Sequence, residues 1–287
     1  MPELPEVETI VRCLRPRLVG LEIAAIRVFF EPILRRADRS ALSAYVGRRV
    51  LRVERRGKMI LLDLAGGLSL VVHLKMTGQL VFGPGSDPLD KHTHVAIDFR
   101  DSDSELRFRD IRKFGFVLAV PTAEVTSAPE LRGLGPEPLA LGFEAFRGAF
   151  GGRKGRIKAR LLDQHVLAGI GNIYADEILF EARVHPEADV SRLGPGAWLR
   201  LWSASRAVLR RAIRCRGTTL RDYRDGEGGR GGFQTRLRAY GREGMACGRC
   251  GAAIKRIRVS GRSSFFCPRC QRRRSSSEPA GALRGLT

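Results

Sequence analysis

The sequence predicts an α+β protein built in more than one part, on three observations. Up to about residue 120 the chain carries short apolar runs that alternate with period two. Beyond about residue 138 the apolar spacing turns helical. Near the end sit two CxxC pairs, Cys247/Cys250 and Cys267/Cys270, with sixteen residues between them.

The first element is a helix from 3 to 18. Val7, Ile10, Val11, Leu14 and Leu18 recur at helical spacing, and Pro5 is tolerated in a first turn. The runs IAAIRVFF, RVLRVERRGKMILLDL, LSLVVHLKMTGQLVF, HVAIDF, ELRFRD and FGFVLAV follow, punctuated by GG, GPGSDP and RDSDS. They predict a β-sandwich or barrel of about eight strands. The pattern breaks from 121 to 138, which reads as a linker. RIKARLLDQ, NIYADEILFEARV and GAWLRLWSASRAVLRRAIRC then read as helices, the first two joined by the small-residue turn VLAGIG. DGEGGRGG reads as a mobile loop, and the tail from 272 as low-complexity and disordered.

The charge narrows the function classes. Fifty-one Lys and Arg stand against 30 Asp and Glu, a formal net charge of +21 over 287 residues. Such a chain attracts polyanions, and nucleic acid is the first partner to consider. No apolar run is long enough for a transmembrane helix, and no signal peptide precedes the first helix. A cytoplasmic protein without a membrane partner is expected, with its cysteines reduced. Cys13 and Cys215 are isolated and expected as buried thiols.

Two CxxC pairs at this separation predict a four-thiolate zinc site formed by Cys247, Cys250, Cys267 and Cys270. The residues between them divide into two strand-like pieces around Ser260-Gly261, which makes a β-hairpin finger. A closed four-thiolate shell leaves no open position, so one structural Zn2+ is expected. Arg262 lies at the hairpin tip near Lys255, Arg256 and Arg258. These side chains form either a solvated basic face or a clamp on a nucleic-acid backbone.

Two further signals are weaker alone. The helix opening at Asn172 after Gly169 and Gly171 offers backbone N–H groups to a phosphate, behind the run Lys154, Arg156, Lys158, Arg160. Such turns also merely connect helices. The chain begins MPELPEVETI, acidic in an otherwise basic protein. If Met1 is removed, Pro2 becomes a secondary amine with a pKa near the α-amino value of about 7.7–8.0. It can then attack a sugar C1′ to give an iminium, with Glu3 moving protons. A Pro-Glu start alone carries little weight, since termini usually fray.

MPELPEVETI, KHTH, DIRKFG, GLGPEPL, IKARLLDQ through GIGNIYADEILF to ARVHP, RGTTL, YGREG and the finger occur together in one order. On these motifs the chain resembles the bacterial formamidopyrimidine-DNA glycosylases, from Pro2 to about Gln271. The resemblance implies two domains: an N-terminal β-sandwich with its leading helix, and a C-terminal helix–two-turn–helix bundle with the zinc finger. DNA lies in the cleft between them. The implied boundaries are 2–125, a linker at 126–136, 137–239, the finger at 240–271 and the tail at 272–287. The implied enzyme is a monomer. It excises 8-oxoguanine and formamidopyrimidines from duplex DNA and cleaves the strand at the abasic site by β,δ-elimination.

By matching position, Pro2 resembles the Schiff-base nucleophile and Glu3 its acid/base. Glu6 resembles a carboxylate that orders the terminus. Lys58 matches a proton carrier in β-elimination, and Arg262 the arginine of δ-elimination. Met76, Arg112 and Phe114 match the residues that fill the gap left by a flipped base. Met76 and Phe114 read by themselves as ordinary core. His92, Lys154, Lys158, Asn172 and Tyr240 match contacts to the DNA backbone, and 217–233 a mobile loop over the lesion. Ile111, Lys113 and the glycine-rich centre of that loop depart from common patterns in the family. Leu4 and the intact Met76, Arg112, Phe114 set favour the purine-specific branch over the endonuclease VIII branch. Two readings of other classes stand beside this one: a non-catalytic damage-sensing DNA binder, which leaves Pro2, Glu3 and Lys58 unused, and an RNA-binding zinc protein.

Overall fold

A computed structural model describes residues 1–36, 38–100 and 102–273. The tail expected to be disordered lies, from 274 onward, outside the described residues. By contacts the described residues divide into two units, one of 1–134 with 210–236 and the other of 135–209 with 237–273.

In the first unit, helix α1 (Leu4–Leu18) is followed by β1 (Ile23–Val28), β2 (Leu34–Arg35), β3 (Val50–Arg56), β4 (Met59–Leu64), β5 (Leu68–His73), β6 (Gly78–Pro84), β7 (Thr93–Phe99), β8 (Ser104–Asp110) and β9 (Phe116–Pro121). They form a five-stranded sheet ordered β2-β9-β5-β4-β3 and a four-stranded sheet ordered β1-β7-β8-β6. The choice between sandwich and barrel is thereby settled as two sheets. Strand β2, only two residues long and parallel to β9, has too short an alternation to be read in sequence.

Period-two alternation makes both faces of the larger sheet apolar. Ile60, Leu62, Leu70, Val72 and Val117 enter the main core together with Leu80, Val95, Leu106 and Phe108 of the smaller sheet. Val7, Ile10, Val11, Leu14 and Leu18 of α1 join that core, each at 0% exposure. Burying such a side chain is worth about 1.5–3 kcal/mol, so packing fixes α1 far more firmly than helix propensity does. Met59, Val71, Phe116, Leu118 and Val120 form a second cluster, covered by Val125, Ala128 and Leu131. The stretch read as a linker is therefore packed where it follows β9: three apolar residues at near-helical spacing cover an apolar sheet face.

The second unit carries α2 (Phe143–Gly148), α3 (Ile157–Leu162), α4 (Asn172–Ala182) and the larger part of α5 (Pro195–Arg214). Strands β10 (Lys255–Val259) and β11 (Arg262–Phe266) pair as a hairpin turning at Ser260 (φ 49) and Gly261 (φ 77). Two successive positive φ angles suit the twist of a two-residue hairpin turn. Cys13 and Cys215 are half-buried rather than buried. Among the described residues no helix is long and apolar enough to cross a membrane.

Candidate active site and zinc centre

The N-terminus is folded in. Met1 is exposed, while Pro2, Glu3, Leu4, Pro5 and Glu6 are buried. Glu6 accounts for this. Its Oε2 accepts from the Glu3 backbone N–H at 2.8 Å, and its Oε1 accepts from the Thr218 N–H at 2.7 Å. The Tyr223 hydroxyl donates to the Glu6 carbonyl at 3.3 Å. Burial raises the Tyr223 pKa, and the charges of Glu6 and Asp225 raise it further. Gly217 lies beside Glu6 at φ 79, and a Cβ there would come within 2.8 Å of Glu6 Oε1. Only glycine permits that approach.

The stretch expected to be mobile is folded in this structure. Buried Asp225 accepts from the Glu227 and Gly229 N–H groups at 3.0 and 2.8 Å, and the Phe82 N–H donates to the Gly226 carbonyl at 3.0 Å. Arg216 pairs with Asp225 and Glu227, and Arg17 of α1 also pairs with Glu227. Cys13 lies against this cluster, and burial raises its pKa, helped by Asp225.

Lys58 occupies the tight β3–β4 turn after Gly57 (φ 59) and is only 9% exposed. Sequence reasoning did not single out His73, at the end of β5. Burial, then the charges of Lys75, Lys58 and Arg35, push its pKa down to about 3. Its Nδ1 accepts from the Lys75 N–H at 2.9 Å, so a neutral imidazole sits inside a basic cluster.

Met76 lies on the turn between β5 and β6 and is 41% exposed; Phe114 is 52% exposed. The core reading of both therefore fails. The Arg112 guanidinium lies 4.6 Å from the Phe114 ring centroid. Among the described residues it has no carboxylate partner. His92 is half-buried just before β7, and its carbonyl accepts from the Asp110 N–H at 3.0 Å.

In the second unit Lys154 is exposed, and its carbonyl accepts two bonds from the Arg160 guanidinium at 2.9 and 2.7 Å. Asn172 opens α4 and donates from Nδ2 to the Ser263 carbonyl at 3.2 Å. Tyr240 is half-buried with its ring edge-on to Phe265, and its N–H donates to Glu177 at 2.9 Å. Arg262 is exposed at the start of β11.

Lys158 departs from expectation. It is fully buried, paired with Asp176 at 2.7 Å and donating to the Ser263 carbonyl at 2.8 Å. Asp176 also accepts from the Ser264 hydroxyl and the Phe265 N–H, each at 3.0 Å. Burial pushes Asp176 up to about 6, against the pull of Lys158. The lysine serves a buried junction between α3, α4 and β11 rather than an open backbone contact. Its place in a basic run gave no hint of this, because its partner is eighteen residues away on α4.

The four cysteine sulfurs all lie within 4.8 Å of one another, with Cys247–Cys270 at 4.0 Å and Cys250–Cys267 at 3.4 Å. Sulfurs about 2.3 Å from a tetrahedral zinc would stand about 3.8 Å apart, so the set fits the ion. The Arg249 and Cys270 N–H groups donate to Cys247 and Cys267, each at 3.4 Å, as expected for turns that stabilise thiolates. Without a cation, burial and the neighbouring sulfurs push Cys270 up to about 12. A bound dication reverses that preference and keeps thiols deprotonated. The site holds one structural zinc.

Three family profiles cover most of the chain: the formamidopyrimidine-DNA glycosylase N-terminal domain at 1–117, its H2TH domain at 134–224, and the zinc finger found in FPG and IleRS at 245–273. A formamidopyrimidine-DNA glycosylase of Desulforamulus reducens is 46% identical, over 95% of this chain and 99% of its own. One from Moorella thermoacetica is 47% identical, over 90% and 95%. A solved complex of Lactococcus lactis Fpg with an abasic site containing DNA matches with a TM-score of 0.87 at 34% identity, over 94% of this chain and 100% of that one. Other L. lactis complexes, with Fapy-dG containing DNA and with an oxidized pyrimidine containing DNA, match equally well. A buried Pro-Glu terminus, a helical unit joined to a four-cysteine finger and these matches agree, and the chain belongs to the formamidopyrimidine-DNA glycosylase family of DNA repair proteins.

Proposed function

We propose that this protein is a bifunctional base-excision repair enzyme, a DNA glycosylase and abasic-site lyase acting on 8-oxoguanine and formamidopyrimidines in duplex DNA. The observation that carries the reading is the buried Pro2-Glu3 terminus held by Glu6. An N-terminus tied down by a buried carboxylate is a built feature and not a fraying end.

Once Met1 is removed, the Pro2 secondary amine adds to C1′ and the bond from C1′ to the base breaks. Glu3 protonates the ring oxygen, the sugar opens and an iminium links Pro2 to the strand. Loss of a C2′ proton, which Lys58 relays, expels the 3′ phosphate; the following δ-elimination, assisted by Arg262, expels the 5′ phosphate. Hydrolysis of the iminium returns the free amine. The base must leave the stack before any of this. Met76, Arg112 and Phe114, exposed together, are the groups proposed to enter its place, with Arg112 toward the orphaned cytosine. His92, Lys154, Asn172 and Tyr240 are proposed to hold phosphates. The protein would act as a monomer on the bacterial nucleoid.

Borohydride trapping on a duplex with one 8-oxoguanine opposite cytosine tests this. Wild type should give a covalent adduct, and Pro2→Gly should lose most of it. No adduct from protein shown by mass spectrometry to lack Met1 would remove the enzyme reading for this lesion. An oxidised-pyrimidine duplex belongs in the same assay, since an L. lactis relative was solved with such DNA.

A further inference from the structure

The two exposed turns that carry Met76 on one side and Arg112 with Phe114 on the other are joined by a single buried polar node. Asp110, at 0% exposure, ends β8, and Thr77, at 9%, follows Met76 directly. The Thr77 hydroxyl donates to Asp110 Oδ1. The same hydroxyl accepts from the Arg112 N–H at 3.2 Å, and so does Asp110 Oδ1, also at 3.2 Å. Asp110 Oδ2 accepts from the Gly115 N–H at 2.7 Å, and the Asp110 carbonyl meets His94 Nε2 at 2.7 Å. Arg112 and Phe114 thus stand on a turn whose two ends close on one carboxylate. Gly115 cannot be replaced cheaply there, because a Cβ would meet the Phe108 ring at 2.6 Å. The Met76 turn is tight as well, with Lys75 at φ 49 and the Gly78 N–H donating to the Leu74 carbonyl at 2.9 Å.

We infer that Thr77 and Asp110 are positioning residues that clasp the two turns into one rigid probe, fixing Met76 relative to Arg112 and Phe114 before DNA is met. This rests on the proposed function, in which those three side chains enter a duplex. Two independently moving turns would have to be ordered during insertion, at an entropic cost the clasp removes beforehand. The hydroxyl suits the role because it donates to one partner and accepts from the other. A methyl in its place would leave the Arg112 N–H leaning on Asp110 alone and leave the Met76 turn untied.

The test uses a duplex with a tetrahydrofuran abasic analogue and 2-aminopurine beside the gap. It reads unstacking on binding, without chemistry. Wild type should give a large fluorescence rise. Thr77→Val and Thr77→Ala should lower its amplitude about fivefold, the scale of one lost hydrogen bond. Affinity, set mainly by phosphate contacts, should stay within about twofold. Thr77→Ser should restore the signal. Wild-type amplitude in Thr77→Val would overturn the clasp, as would a parallel loss of affinity in Thr77→Val and Thr77→Ala, which marks a general structural defect. No rise with wild type would overturn insertion and the clasp together; borohydride trapping of wild type then decides separately whether the catalytic reading stands.

Discussion

Glu6 and Thr218 meet across 212 positions of sequence, with the Thr218 N–H donating to Glu6 Oε1 at 2.7 Å while Oε2 holds the Glu3 N–H at 2.8 Å. One carboxylate thus fixes both the N-terminus and the start of the stretch from 217 to 233. A glutamine keeps the shape but turns one acceptor into a donor, which would face an N–H. Glu6→Gln should therefore cost about 1–3 kcal/mol in urea unfolding and slow borohydride trapping at least about tenfold. Unchanged trapping would mean that the terminus is ordered by other means.

The Lys158–Asp176 pair should matter for stability more than for charge. Removing one partner leaves an uncompensated buried ion, so Asp176→Asn or Lys158→Met alone should each cost about 3–5 kcal/mol. The double variant carries no buried charge and should recover more than half of the larger loss. Urea denaturation of all four proteins gives the coupling directly. Single losses below about 1 kcal/mol would show that the buried pair is readily dispensed with.

Zinc should be needed for the finger and not for the sandwich. Strands β10 and β11 are five residues each, too short to persist as a lone hairpin. Cys250→Ser, or treatment with a strong chelator, should release the metal and weaken binding to abasic DNA at least about tenfold, given the weight of backbone contacts in such affinity. Zinc content by mass spectrometry and binding by anisotropy report the two effects. Full binding after complete zinc loss would rule out a role for the finger in holding DNA.

His73 predicts an acid-sensitive fold. Its pKa of about 3 lies below the ordinary value of about 6.5, so between these the unfolded chain binds the proton and the native one does not. The contribution is complete above about pH 6.5 and is lost as pH falls toward 3, by about 1.4 kcal/mol per unit. Between pH 6.5 and 5 wild type should lose about 2 kcal/mol more than His73→Gln. Parallel pH profiles for the two proteins would assign the acid sensitivity elsewhere.

Much of this protein is determined by its sequence alone. Strand alternation, helical spacing, the turn at Ser260-Gly261 and paired CxxC spacing are local patterns, each set by backbone geometry over a few residues. They were enough to foresee the leading helix, the sheets, the helical part and the zinc hairpin. Motifs in fixed order pointed to the family, and with it to Pro2 and Glu3. The tertiary structure decided what local pattern cannot carry. It chose sandwich over barrel by the way the strands partition into two sheets. It paired Lys158 with Asp176, folded DGEGGRGG around Asp225, and set a neutral His73 among three cations. It also tied Thr77 to Asp110, 33 positions apart. A polar side chain's role depends on which distant partner shares its burial. Lys158, which reads as a phosphate contact in the sequence, becomes a structural pair once the fold removes its water.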